Sequence, residues 1–311
     1  LIKLERCVRL YVFGIEGQIA RALREAATEY PDVVFGYGGR PEVDILRPEL
    51  VEKALAAFLP DIVINPAAYT AVDRAESEPD LAFAINRDGA DNVAAAAARL
   101  GIPIIHLSTD YVFDGKKQGK YVETDRVAPM GVYGQSKLAG ESAVAAANSR
   151  HIIFRTSWVY APYGNNFLRT MLRLSANRDN LTVVDDQVGC PTYAPDIADT
   201  ILAVARKIDA PGWKQSFAGV THLAGPDEVS WYGFARKIMR LSEARTARSV
   251  AVDAISTAAY PTAAHRPANS RLCCDRLASI FDIRLPPLES SLENCLERLL
   301  GAPALRTGAK N

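Results

Sequence analysis

VRLYVFGIEGQIARAL, residues 8–23, reads as a strand, a glycine turn and the opening of a helix. Val8 to Phe13 is an apolar run of strand length, and the periodic segment Gln18 to Thr28 follows it as a helix. Between them Gly14, Gly17 and Ala20 form a G-x-x-G-x-x-A pattern. Glycine at such a turn lets backbone amides approach a pyrophosphate, and the helix amino terminus adds a favourable dipole. The alternative is a tight turn with no ligand. Glu16 counts toward it, because a carboxylate beside a phosphate is repulsive unless it points away or pairs.

The βα alternation continues through the first half of the chain. Val33 to Tyr37 reads as a strand, Pro48 to Phe58 as a helix and Asp61 to Asn65 as a strand. Glu78 to Leu100 reads as one long alanine-rich helix, Pro103 to Ser108 as a buried strand, Tyr133 to Asn148 as a helix and Ile152 to Trp158 as a strand. Short apolar strands separated by helices imply a parallel sheet covered on both faces, an α/β fold of the Rossmann type, doubly wound. After Tyr160 turn signals such as APYGNN and DDQVGCPTYAPD break the alternation, with helical patterns at Ala194 to Lys207, Trp231 to Ser242 and Leu288 to Leu300. The expected organisation is a dinucleotide-binding domain over residues 1–160 with return segments near 188–222. A smaller, loop-rich C-terminal substrate lobe takes 161–187 and 223–311, and Thr307 to Asn311 is expected to fray.

Composition excludes several classes. Lys plus Arg and Asp plus Glu both number 36 in 311 residues, so the excess positive charge that nucleic-acid binding draws on is missing. No segment approaches the ~20 apolar residues of a membrane span. The opening LIKLERCVRLYVFG shows no secretory pattern, although without an initiator Met the true start stays open. The five cysteines lack C-x-x-C spacing, which implies reduced thiols and a cytoplasmic setting. Cys273 and Cys274 read as two ordinary small residues on a strand.

Three local patterns carry chemistry. After the second strand the chain runs Phe35, Gly36, Tyr37, Gly38, Gly39, Arg40, with no carboxylate for ribose hydroxyls. Arg40 could meet a 2′-phosphate instead, which favours NADPH over NADH without settling it. Asp44 could accept from the adenine amino group or cap the helix that starts at Pro48. Ser108, Thr109, Asp110 and Tyr111 follow a buried strand, where open parallel sheets place ligand-binding groups. YGQSK puts Tyr133 and Lys137 on one helical face, where a cation near a phenol favours acid/base chemistry closer to neutral pH.

A hydroxyl at a strand end, a Tyr-x-x-x-Lys on the next helix and a glycine loop after the first strand resemble the extended branch of the short-chain dehydrogenase/reductase superfamily. NPAAYTAVDRAESEP from Asn65, STDYVFDG from Ser108, VYGQSKLAGE from Val132, FRTSWVYAPYGNNF from Phe154 and AYPTAAHRPANSRL from Ala259 resemble the signature blocks of the dTDP-4-dehydrorhamnose reductase family. They run in family order from about Val8 to about Leu300.

The resemblance implies NAD(P)H-dependent reduction of the C4 ketone of a dTDP-sugar, dTDP-4-dehydro-L-rhamnose, for cell-surface polysaccharide synthesis. It makes Tyr133 the proton donor, Lys137 the group that binds the nicotinamide ribose and lowers the phenol pKa, and Thr109 the residue that orients the reacting oxygen, with Asp110 also touching the sugar. For the cofactor it implies Gly17, Gln18 and Ile19 at the pyrophosphate and Asp44 and Ile45 at the adenine. Ala68, Tyr69, Thr70 and Leu107 would line the nicotinamide half. Trp158 would pack on the deoxysugar, and Asn165, Asn166 and Arg266 would clamp the diphosphate. Some relatives form a dimer bridged by magnesium through three glutamates. Two of those positions are Ala22 and Pro195 here, leaving Glu297, so no metal is expected and the assembly is monomer or homodimer. Pro66 also departs from the family's alanine. The competing readings are a reductase of another nucleotide-linked 4-ketosugar, or a non-catalytic reductase-like subunit such as the regulatory subunit of methionine adenosyltransferase.

Overall fold

β1 (Val8–Phe13) is buried at all but one position, as a strand covered on both faces must be. The computed structural model describes residues 7–209 and 212–302. The expected frayed tail, Thr307 to Asn311, and residues 1–6 of the amino-terminal opening lie outside them. α1 (Gln18–Ala26), β2 (Val33–Gly38), α2 (Pro48–Phe58) and β3 (Ile62–Asn65) follow. The helix expected over Glu78 to Leu100 is not uniform. After a short α3 (Val72–Ala75), α4 (Pro79–Phe83) and α5 (Gly89–Arg99) are joined through a π-helical stretch, Ala84–Asp88. An alanine-rich apolar period reads the same with or without one wide turn, so periodicity does not reveal it.

β4 (Ile104–Thr109), α6 (Val132–Ala147) and β5 (His151–Thr156) complete the first half. The second half is built from shorter pieces: β6 (Val159–Tyr160), α7 (Phe167–Ser175), β7 (Asn180–Val184), β8 (Val188–Gly189), β9 (Thr192–Tyr193), α8 (Ala194–Asp209) and β10 (Gly219–His222). Then come β11 (Val229–Ser230), α9 (Trp231–Thr246), β12 (Ala251–Ile255), β13 (Asn269–Ser270), α10 (Asp275–Phe281) and α11 (Leu288–Leu300).

The main sheet has the order β10-β5-β4-β3-β1-β2, parallel throughout. Chain progression reverses between β1 and β3, and the crevice at the carboxyl ends of the strands opens there. One face packs under α1 and α8 through Leu23, Ile197 and Ile201, and the other under α2, α5 and α6 through Val51, Leu55, Val93 and Val144. Fully buried leucines such as Leu23 and Leu55 each contribute roughly 2 kcal/mol through apolar burial. A separate cluster joins α7, α9 and α11 through Leu168, Phe234, Ile238 and Leu292. It is flanked by the parallel pair β7–β12, while β8 pairs with β11 and β13 in a small sheet. α10 belongs to the larger core instead, burying Leu277 and Phe281 with the α1 and α8 residues.

Cys273 and Cys274, expected on a strand, lead into α10, with Cys274 as its amino cap. No helix among the described residues is long and apolar enough to cross a membrane.

Candidate active site

The carboxyl ends of β1 and β2 frame the first part of the site. Gly14 takes φ +102°, the region that favours glycine, and its N–H donates to the Gly38 carbonyl at 2.6 Å. Gly17 is the amino cap of α1, and a Cβ there would meet nothing within 4 Å. Among the described residues no side chain caps this helix end, its first turn holds no acid, and Glu16 is exposed. Open amides with no competing carboxylate fit a pyrophosphate.

Gln18 and Ile19 are half-buried beside this turn, and Arg40 is exposed beyond β2. Asp44 does not cap α2, whose amino cap is Arg47; its Oδ1 accepts from the Leu46 N–H at 3.0 Å. Ile45 is buried against α5, where a Cβ on Gly89 would stand 2.6 Å from its Cδ1.

Ala68, Tyr69 and Thr70 form the loop after β3. Both backbone groups of Tyr69 are held by the Asn86 amide: the Tyr69 N–H donates to Oδ1 at 2.8 Å, and Nδ2 donates to the Tyr69 carbonyl at 3.1 Å. Asn86 Nδ2 also donates to Ser136 Oγ on α6 at 2.9 Å. Asn86 lies in the π stretch that the sequence did not disclose, so its role in fixing this loop had no readable signal. The adjoining α3 region supplies two more ties. The Tyr69 hydroxyl donates to Glu78 Oε2 at 2.5 Å, and Glu76 Oε1 accepts from the Val132 N–H at 2.9 Å, at the first residue of α6.

α6 starts at Val132 and carries Tyr133 and Lys137 on one face, pressed onto the end of β4. A Cβ on Gly134 would come within 2.2 Å of the Tyr111 carbonyl oxygen, so glycine in YGQSK is what lets the helix seat. Lys137 is buried and its Nζ donates to the Leu107 carbonyl at 2.6 Å. Burial pulls this ammonium down to about 8, and the Glu141 carboxylate works against that pull. The Tyr133 phenol is pushed up to about 12 by burial, with the Thr109 hydroxyl opposing the rise and Asp110 adding to it. The expectation was that Lys137 would hold the phenol below its ordinary value; instead loss of hydration dominates, and the opposing pull comes from Thr109. Thr109 Oγ1 donates to Asp110 Oδ1 at 3.1 Å and also accepts from the Tyr111 N–H. Asp110 is buried and pushed up to about 6, by burial first, with Ser270 and Thr109 pulling the other way. Its Oδ2 has no partner among the described residues. The structure thus gathers Thr109, Asp110, Tyr133 and Lys137 at one strand end.

Beneath them lies a polar layer between the sheet and α6. Glu141, one turn beyond Lys137, accepts from Arg155 Nε at 2.9 Å and Nη2 at 2.6 Å and from Ser108 Oγ at 2.5 Å, all within the interior. His106 and Asn65 pair beside it through Nδ1 and Nδ2 at 3.2 Å. The i, i+4, i+8 spacing of Tyr133, Lys137 and Glu141 was the available signal for Glu141.

The residues expected around the sugar are placed differently from one another. Trp158 stands at φ +48° with its indole stacked on Trp231, centroids 3.4 Å apart. Its other face lies against Gly189, where a Cβ would come within 2.4 Å of Cε2. Both faces are therefore covered, and an edge is what it can offer a sugar.

Asn165 is exposed. Asn166 has its side chain engaged within the fold: its Oδ1 caps α7 by accepting from Arg169 N–H, and its Nδ2 donates to Gln18 Oε1, Ala161 O and Tyr163 O. Arg266 is likewise engaged, forming a two-pronged pair with Asp73 at 3.1 and 2.7 Å, while Asp73 Oδ1 also accepts from the Ala264 N–H. These partners come from distant segments, which local turn signals such as GNN do not encode.

Among the described residues no cluster of three or more His, Cys, Asp or Glu could hold a metal ion.

Residues 8–300 match the family described as RmlD substrate binding domain. A dTDP-4-dehydrorhamnose reductase of Sinorhizobium fredii (strain NBRC 101917 / NGR234) is 50% identical over 293 residues, covering 94% of this chain and 98% of that protein. The protein of the same name from Escherichia coli (strain K12) is 39% identical, covering 96% and 100%. The crystal structure of dTDP-4-dehydrorhamnose reductase from Bacillus anthracis in complex with NADP aligns with a TM-score of 0.85 at 35% identity, covering 93% of this chain and 98% of that one. The chain belongs to the dTDP-4-dehydrorhamnose reductase family.

Proposed function

We propose that this protein reduces the C4 ketone of dTDP-4-dehydro-L-rhamnose to give dTDP-L-rhamnose, with NADPH or NADH as reductant. The observation that carries the reading is the meeting of Thr109, Asp110, Tyr133 and Lys137 at the end of β4, in a chain that matches the family along its length. When bound, the nicotinamide supplies a hydride. Gly14, Gly17, Gln18 and Ile19 would hold its pyrophosphate at the α1 terminus. Asp44 and Ile45 would hold the adenine, Arg40 a 2′-phosphate, and Ala68, Tyr69, Thr70 and Leu107 the nicotinamide half.

A phenol pushed up to about 12 is protonated at neutral pH, the state a proton donor needs. Tyr133 gives that proton to the sugar oxygen as negative charge develops there. Lys137, charged below about 8, stabilises the phenolate left behind and donates to the nicotinamide ribose. Thr109 orients the sugar oxygen against the phenol, and Asp110, which accepts from the Thr109 hydroxyl, would stand beside it toward the sugar. Trp158 would offer the sugar its indole edge. Nucleotide binding falls to residues 1–160 with segments near 188–222, and sugar binding to 161–187 and 223–311. Five free thiols suit a cytoplasmic setting. The assembly is a monomer or homodimer, which light scattering distinguishes.

The test is NADPH oxidation in the presence of dTDP-4-dehydro-L-rhamnose, with the product identified by NMR. Tyr133→Phe removes the proton and little volume, and turnover should fall by about 10²-fold or more. No oxidation by the unsubstituted protein, or full turnover by the Phe variant, would overturn the reading.

A further inference from the structure

We propose that Glu141 is a positioning residue for Lys137, its locked carboxylate keeping the ammonium charged and so extending the reduction toward alkaline pH. The proposal rests on the catalytic reading above. Tyr133, Lys137 and Glu141 follow one another at four-residue spacing along one face of α6. The Glu141 carboxylate cannot swing away, since Arg155 grips both of its oxygens and Ser108 donates to one of them. Taking a carboxylate and a guanidinium out of water costs several kcal/mol per ion before their attraction offsets it, and apolar residues often hold such a layer equally well. A buried pair under an active-site lysine therefore calls for a reason beyond stability.

The charges around Lys137 supply one. On its own helix it faces neutral Tyr133 and anionic Glu141. From β4 it faces His106, held neutral well below its usual value by burial and then by Lys137 itself, while Arg155 enters the layer from β5 through its two bonds to Glu141. The π stretch contributes the uncharged amide of Asn86, and β3 that of Asn65. Asp110, beyond β4, acts on Tyr133. Glu76 and Glu78 are engaged with Val132 and Tyr69. The buried layer thus holds two cations and one anion. Removing the anion leaves Lys137 beside Arg155 alone, and the ammonium gives up its proton at lower pH. Removing Arg155 leaves Glu141 acting on Lys137 without a competitor, and the ammonium holds its proton to higher pH.

The experiment is the pH dependence of kcat and kcat/KM for the NADPH-dependent reduction, from pH 6 to 10, in the unsubstituted protein, Glu141→Gln and Arg155→Gln. Thermal melts would establish that each variant is folded. Glu141→Gln should move the basic limb down by about one pH unit, so that its activity at pH 9 is lost about fivefold beyond its loss at pH 7. Arg155→Gln should move the same limb upward. A structural tie alone predicts equal loss at every pH from either half of the pair, so unmoved limbs, or limbs that move the same way, overturn the proposal. If Glu141→Gln does not fold, the direction of the Arg155→Gln shift decides. Absence of reduction by the unsubstituted protein would instead strike the catalytic reading itself.

Discussion

Gly140→Ala should separate the catalytic helix from the π stretch. A Cβ at this position would lie 2.0 Å from the Asn86 carbonyl oxygen and 3.1 Å from its carbon, both backbone atoms that no rotamer change can move. A carbon–oxygen contact settles near about 3.3 Å, so α6 must withdraw by about 1.3 Å. Overpacking of this kind costs about 1–3 kcal/mol. The withdrawal also strains the Asn86–Ser136 hydrogen bond, worth about 1 kcal/mol. The sum, about 2–4 kcal/mol, corresponds to a melting temperature lower by roughly 3–6 °C in a chain of this size.

The larger effect is on rate. Tyr133 and Lys137 ride on the displaced helix, and misplacement by about 1 Å costs on the order of 10²-fold in kcat. Differential scanning calorimetry and steady-state kinetics would measure both. Gly233→Ala in the first turn of α9 is the control, since its Cβ would stand 3.4 Å from Ser230 Oγ and alanine favours a helix by up to about 1 kcal/mol. A Gly140→Ala protein that melts and turns over like its parent would refute the packing argument.

Asp110→Asn tests the cost of burying a carboxylate. Its folded value, about 6, lies above the ordinary 3.8, so the folded state binds more protons between those values. Stability therefore falls as pH rises from about 4 to 6, and the full penalty stands above 6. The Asn variant should be more stable than its parent at pH 7 by up to about 3 kcal/mol, equal to it near pH 3, and less active; identical urea midpoints at pH 7 would contradict this. Asp73→Ala frees Arg266 and the backbone of Ala264, loosening the 264–266 segment. A half-exposed pair is worth about 0.5–1 kcal/mol, so KM for the dTDP-sugar should rise roughly two- to fivefold with kcat little changed, and an unaltered KM would count against the tether. Trp231→Ala uncovers one face of Trp158. Loss of the stacked ring should cost about 2–4 kcal/mol and alter the tryptophan emission spectrum, and neither change would appear if the stack were incidental.

What the sequence disclosed was the part governed by local periodicity and spacing. The β1 turn into α1, the crossovers to β5, and the seating of Tyr133 and Lys137 near Thr109 all follow from short-range patterns of apolar residues and glycines. The π stretch was hidden because Ala84–Asp88 keeps an apolar period while its hydrogen bonding widens. Asn166 and Arg266 show a different limit. Their charge and polarity suit phosphate oxygens, but Gln18 and Asp73, each more than a hundred residues away in the chain, engage them in the fold. The direction of the Tyr133 shift failed likewise, since hydration lost on burial depends on everything packed around α6 and not on the spacing to Lys137.

Residues 73–78 bear on any attempt to re-engineer sugar preference by exchanging loops. Asp73 holds Ala264 and Arg266, Glu76 holds the first amide of α6, and Glu78 holds the Tyr69 hydroxyl. Gly131 is bound into the same set, because a Cβ there would sit 2.7 Å from Glu76 Oε1. A graft of the 261–269 segment alone would meet a mismatched Asp73, and a graft that altered Glu76 would disturb the helix carrying the proton donor. The exchangeable unit is therefore discontinuous: 73–78, Gly131 and 261–269 must be transplanted together, although they lie in three separate parts of the chain.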